Sequence, residues 1–130
     1  MFVKNKWLII FVLAALFIAC DLEADNQGAN GTTPTPPTNI RAVAVSPTSI
    51  SITWNKASGA TSYEVYCETG SMPISKVNTV TGTSYTHTGL QPSTSYSYYI
   101  TAKNNAGTSD YSSRASATTQ SRNVNNLISR

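Results

Sequence analysis

The chain is predicted to fold as an all-β, seven-stranded antiparallel sandwich behind an export segment. Three observations predict it. After Thr38, apolar and polar residues alternate with period two in several stretches, the mark of strands with one buried face. Short turns bearing Gly, Pro, Ser or Asn fall between those stretches, as in a sandwich of short strands. No window beyond the N-terminal segment carries a helical period.

The elements follow in chain order. Lys4 and Lys6 precede thirteen residues, Trp7 to Ala19, without a charged or polar side chain. A membrane span needs roughly 20 apolar residues, so this run is too short to cross. A basic start before about 7–15 apolar residues is instead the form of a secretory signal peptide. Phe17-Ile18-Ala19-Cys20 resembles the bacterial lipobox, with Phe17 where that pattern usually has a leucine-like aliphatic. The resemblance implies a signal peptide over 1–19, cleavage before Cys20 and a lipid on its thiol. Cleavage at another site and an uncleaved anchor are the alternatives. A lipid-anchored protein of this kind sits outward of the inner membrane, on its periplasmic face or at the cell surface. Each buried CH2 of the acyl chains would contribute about 0.8 kcal/mol.

Residues 20–36 are polar and rich in Gly, Thr and Pro, with Leu22 the only large aliphatic. Such a segment cannot offset its ordering entropy and reads as a flexible tether. At roughly 3.3 Å per residue its extended reach is about 60 Å. Of the nine basic residues, Lys4 and Lys6 leave with the signal, so seven face six acids in the mature chain. That balance, without clustering, gives no electrostatic case for nucleic acid. With Cys20 acylated, Cys67 has no partner for an internal disulfide. Burial would protect it outside the cytoplasm; a reactive thiol is the sharper alternative.

In "SISITWN", Ile50, Ile52 and Trp54 share a face. In "SYEVYCE", Tyr63, Val65 and Cys67 oppose Glu64, Tyr66 and Glu68. In "YSYYITAK", Tyr96, Tyr98, Ile100 and Ala102 oppose Ser97, Tyr99, Thr101 and Lys103. Weaker strands are expected at Ile40–Val45, Ile74–Val77, Ser84–His87 and Ser113–Thr119.

Thr83 to Gly107 resembles the second half of a fibronectin type III domain. That family's Leu-x-Pro-x-Thr-x-Tyr element is matched by Leu90, Pro92, Thr94 and Tyr96, and its Ala-x-Asn and Gly by Ala102, Asn104 and Gly107. Upstream, Pro37, Trp54 and Tyr63-x-Val65 agree. The resemblance implies an immunoglobulin-like sandwich over 37–119, followed by a polar tail, 120–130. Tyr96 then fits a tyrosine corner, with Leu90 and Pro92 shaping the turn before it. Trp54 and Tyr63 are expected in the core, and truncating the tryptophan should cost about 3–5 kcal/mol.

Catalytic chemistry finds little support. The single histidine, His87, has no acid near it in sequence, and a general base needs an orienting partner and a nucleophile in reach. Glu64 and Glu68 lie about 13 Å apart along one strand, too far for a glycosidase pair. No zinc ligand set, phosphate loop or hydrolase motif occurs, and no cofactor or metal is expected. The candidate binding face is Tyr66, Tyr99 and Lys103 on neighbouring strands, since exposed aromatics stack on sugars or anchor interfaces. Tyrosines also decorate sheets through plain cross-strand pairing. The loop Asn104–Ser112 is a second candidate surface. The expected function is a non-catalytic, membrane-anchored module that binds an envelope or extracellular protein or glycan. The alternative is a passive envelope spacer without a specific ligand.

Overall fold

The computed structural model describes residues 31–123. The expected signal peptide, Cys20, the tether up to residue 30 and the tail from residue 124 lie outside the described residues. Eight strands follow in order: β1 (Arg41–Ser46), β2 (Ser49–Thr53), β3 (Ser62–Thr69), β4 (Met72–Val80), β5 (Ser84–Thr88), β6 (Ser95–Asn104), β7 (Gly107–Thr108) and β8 (Ala115–Thr118). One sheet has the order β1-β2-β5; the other runs β4-β3-β6-β7, with β8 also paired to β6. Every pairing is antiparallel.

Alternation explains the core between the sheets. Ile50 and Ile52 of β2, Tyr63, Val65 and Cys67 of β3, and Tyr96, Tyr98, Ile100 and Ala102 of β6 are all buried, together with Trp54, Ala57 and Leu90. Trp54 meets Tyr63 edge-on, with ring centroids 5.5 Å apart, a favourable geometry for aromatic pairs. Strand β2 stops at Thr53, short of the expected Asn55, because the next N–H groups turn to other partners. Trp54 N–H donates to Thr83 O at 3.1 Å and Asn55 N–H to Thr38 O at 2.9 Å.

The expected last strand, Ser113–Thr119, is shorter than predicted, and a two-residue strand, β7, precedes it. Between β7 and β8 the chain still follows β6, through side chains as well as backbone. Ala102 N–H donates to Ser109 Oγ at 2.9 Å and Ile100 N–H to Ser112 Oγ at 3.0 Å. In return Ser109 N–H donates to Ala102 O and Ser112 N–H to Ile100 O. The serine hydroxyls stand in for ladder carbonyls, so the edge is satisfied without regular strand geometry.

The end of the expected tether packs on the domain. Pro34 and Pro37 are buried, and Asn104 Nδ2 donates to Thr32 O at 2.9 Å and to Gly59 O at 3.1 Å. At Gly107 (φ 149°) a Cβ would stand 2.8 Å from Thr33 Cγ2, so the glycine lets Thr33 approach. Residues 32–36, expected to be flexible, are held because proline rings offer apolar surface and Asn104 supplies a donor.

Candidate functional site

The outer face of the five-stranded sheet is laid out by register. Tyr66 of β3 stands opposite Tyr99 of β6, Glu68 opposite Ser97, and Glu64 opposite Thr101. On the other side of β6, Ser97 pairs with Ser116 of β8, their hydroxyls 2.9 Å apart. The structure thus brings Tyr66 and Tyr99 together.

It also adds a third ring. Tyr111, between β7 and β8, packs edge-to-face on Tyr66 at 5.0 Å and on Tyr99 at 6.0 Å between centroids. Tyr66 and Tyr99 are half-buried, whereas Tyr111 is 49% exposed. The accessible aromatic surface therefore belongs mainly to Tyr111. Its signal in the sequence is a single aromatic in the otherwise small, polar stretch "NNAGTSDYSS".

The charges beneath the rings are paired. Glu64 points outward from β3 yet is buried. Its carboxylate accepts from Tyr66 Oη at 2.8 Å and from Lys76 Nζ at 3.1 Å, and Lys103 Nζ lies 3.9 Å away. The Tyr66 hydroxyl first, then Lys76, hold this carboxyl below its usual range. Burial, reinforced by Glu64, pushes the Tyr66 phenol up to about 12. Tyr99 Oη donates to Glu68 Oε1 at 2.9 Å, and that bond chiefly raises its pKa. Lys103 thus serves the Glu64 ion pair while remaining half-exposed.

Beside Tyr99 the face is concave. A groove of about 410 Å³ is lined by Glu68, Thr69, Gly70, Ser95, Ser97 and Arg114. Arg114 immediately precedes β8 and is exposed. The groove lies toward the Ser95 end of β6; Asn104, which receives the incoming chain at Thr32, lies at the other end. Nine residue steps of roughly 3.3 Å separate these ends by about 30 Å.

The other predicted residues serve the fold. Tyr96 Oη accepts the Gln91 N–H at 3.0 Å, closing the turn in which Pro92 O accepts from Thr94 Oγ1 at 2.9 Å. Leu90 is buried and its N–H donates to Thr48 O. Tyr63 Oη accepts the Ala57 N–H at 2.9 Å. Trp54 is buried in the core. The Asn104 side chain caps its own turn, accepting from Ala106 and Gly107 N–H groups. That end of the second candidate surface is therefore committed to holding the chain.

Two groups with reactive chemistry lie inside. Burial pushes the Cys67 thiol up to about 11, so the thiolate needed for nucleophilic attack is scarce near neutral pH. His87 Nδ1 lies 3.1 Å from Tyr98 Oη, and burial lowers its pKa. Its nearest aromatic neighbours are Tyr85, Tyr96 and Tyr98, and among the described residues no hydrogen bond or ion pair joins it to an acid. Among the described residues no three His, Cys, Asp or Glu side chains are grouped to hold a metal.

Comparison with known proteins agrees with this architecture. The family model of the fibronectin type III domain matches residues 35–118. Poly(3-hydroxybutyrate) depolymerase of Ralstonia pickettii is 44% identical over 86 residues, which is 65% of this chain and 17% of the enzyme. Chitinase A1 of Niallia circulans is 36% identical over 91 residues, covering 68% of this chain and 12% of the enzyme. For exoglucanase B of Cellulomonas fimi, also 36% identical, the shares are 68% and 8%. The chain thus matches less than a fifth of each of these relatives. Among solved structures, an Fn3-like protein from Clostridium thermocellum superposes with a TM-score of 0.60 at 34% identity, covering 65% of this chain and 92% of that one. The sandwich, its register and these likenesses together show that the chain belongs to the fibronectin type III family.

Proposed function

We propose that this chain is a non-catalytic lipoprotein, held outward of the inner membrane by a lipid on Cys20. Its fibronectin type III domain binds a protein or glycan at the bacterial envelope through the outer face of the five-stranded sheet. The observation that carries the binding reading is the Tyr66–Tyr99–Tyr111 cluster. Three aromatic rings on one sheet face, one of them half-exposed, offer a rigid surface of the kind that anchors interfaces and stacks on sugars. The basic, apolar and cysteine pattern of residues 1–20 supports the anchor. The relatives support an accessory role, since their names describe action on poly(3-hydroxybutyrate), glucan and chitin, and the matching part is a small share of each.

One observation favours the spacer alternative: the Tyr66 and Tyr99 hydroxyls are already bonded to Glu64 and Glu68, which leaves them less to offer a ligand. The membrane-extracted protein, on a glycan array and in cross-linking to envelope proteins, separates the readings. Binding lost in Tyr99→Ala and Tyr111→Ala supports the tyrosine face; binding unchanged in both sinks it, and no ligand at all favours the spacer. Intact mass supplies the anchor test: a lipid-modified species beginning at Cys20, lost in Cys20→Ala.

A further inference from the structure

The geometry points to the groove between Arg114 and Glu68 as a binding site for a segment of a neutral oligosaccharide, with the Tyr99–Tyr111 surface beside it. This inference rests on the binding reading of the tyrosine face and narrows it to one chemical class and one place.

The lining chooses the ligand. The groove holds one guanidinium, Arg114, and one carboxylate, Glu68, so its formal charge is balanced and it favours neither an anionic nor a cationic ligand. Both groups are planar and bind in bidentate fashion, the carboxylate by accepting and the guanidinium by donating. Adjacent hydroxyls of a sugar ring both donate and accept, and therefore satisfy both groups. The hydroxyls of Thr69, Ser95 and Ser97 add further donors and acceptors along the same rim. An apolar ligand would leave these groups unpaired, at a cost. Tyr99 adjoins Ser97 on the outer face of β6 and meets Tyr111 at 6.0 Å. It thereby continues the polar groove into an aromatic surface suited to the C–H face of a pyranose.

Size and placement agree. The groove's volume of about 410 Å³ lies within the roughly 300–1,000 Å³ of small-molecule sites. It lies about 30 Å along β6 from Asn104, which holds Thr32, so the described segment at Thr32 lies away from it. Glu68 is positioned by Tyr99 Oη at 2.9 Å and Ser97 by Ser116 Oγ at 2.9 Å, which fixes the groove in advance of a ligand.

The test is titration of the mature full-length chain with chitohexaose, cellohexaose and xylohexaose by calorimetry and ligand-observed NMR. Arg114→Ala removes the guanidinium of an exposed residue. Gly70→Phe adds a ring at a residue lining the groove, where a Cβ meets nothing within 4 Å, and circular dichroism of both variants checks the fold. Saturable binding of at least one probe, weakened tenfold or more by each groove variant, is the expected result. Binding that survives both groove variants but is lost in Tyr111→Ala overturns the groove while the tyrosine-face reading stands. No saturable binding of any probe up to millimolar concentration overturns the oligosaccharide assignment. Cross-linking to an envelope protein, if lost in Tyr111→Ala, then shows that the broader reading survives without it.

Discussion

Tyr63→Phe removes one hydroxyl from the middle of the domain and changes nothing else in the ring. The Tyr63 side chain is fully buried and packs edge-on against Trp54, a contact that phenylalanine retains. What is lost is the acceptor for the Ala57 N–H, 2.9 Å away and itself buried. Ala57 lies in the loop that carries the chain from Trp54 to β3, and its N–H donates to the Tyr63 hydroxyl while its carbonyl accepts from the Ala60 N–H. A buried donor left without a partner costs about 1–3 kcal/mol. Taking about 2 kcal/mol, and roughly 4–8 °C per kcal/mol for a domain of this size, the melting temperature should fall by about 8–16 °C. Urea unfolding followed by tryptophan fluorescence measures the loss directly, with an unchanged slope showing that the unfolded state is not altered. Tyr99→Phe is the control, because its hydroxyl binds Glu68 at the surface, and it should change stability by less than about 0.5 kcal/mol. If Tyr63→Phe cost no more than this control, the Ala57 N–H would have another partner and the account of the loop would be wrong.

Three further outcomes follow from particular contacts. The Glu64 carboxyl is held below the ordinary glutamate range, so its contribution to stability is present above that range and lost as pH falls through the lower folded value. Glu64→Gln should therefore flatten the dependence of stability on pH below about 4.5, measured by urea titration from neutral pH to pH 3; an unchanged slope would refute the linkage. Cys67, with its thiol pushed up to about 11, should not react with a thiol-specific disulfide reagent at neutral pH in the folded protein and should react fully in denaturant. Fast reaction under native conditions would contradict its burial. Asn104→Ala removes the donor to Thr32 O, and Gly107→Ala places a Cβ 2.8 Å from Thr33 Cγ2. Both should free residues 32–34, seen as protease cleavage there while the sandwich remains intact; protection equal to wild type would show that the buried prolines alone hold the segment.

Period-two alternation was enough to sort the core. Ile50 and Ile52, Tyr63, Val65 and Cys67, and every second residue from Tyr96 to Ala102 face inward by the alternation and are buried. A strand's two faces depend only on neighbours along the chain, which a sequence displays. The Tyr66–Tyr99 pairing was also legible, since it needed only the faces and the resemblance in strand order. The outer face was harder. Glu64 and Thr101 alternate as solvent-facing residues, yet they are 9% and 3% exposed. Tyr111 closes over the paired tyrosines from a segment with no strand pattern, because Ser109 and Ser112 replace the ladder with hydroxyl bonds. The groove takes Arg114 from one side of β6 and Glu68 from the other, 46 positions apart in the chain. Pro34 looked like tether because proline-rich composition says nothing of what Asn104, some seventy residues later, can reach. Alternation along the chain suffices for the main strands, their inward faces and the core residues, all local properties of a pleated chain, while strand ends and the short β7 depend on partners elsewhere. Which outward side chains are covered, where the concave site lies and that Thr32–Pro34 pack on the sandwich depend on contacts between distant segments that only the closed sandwich brings together.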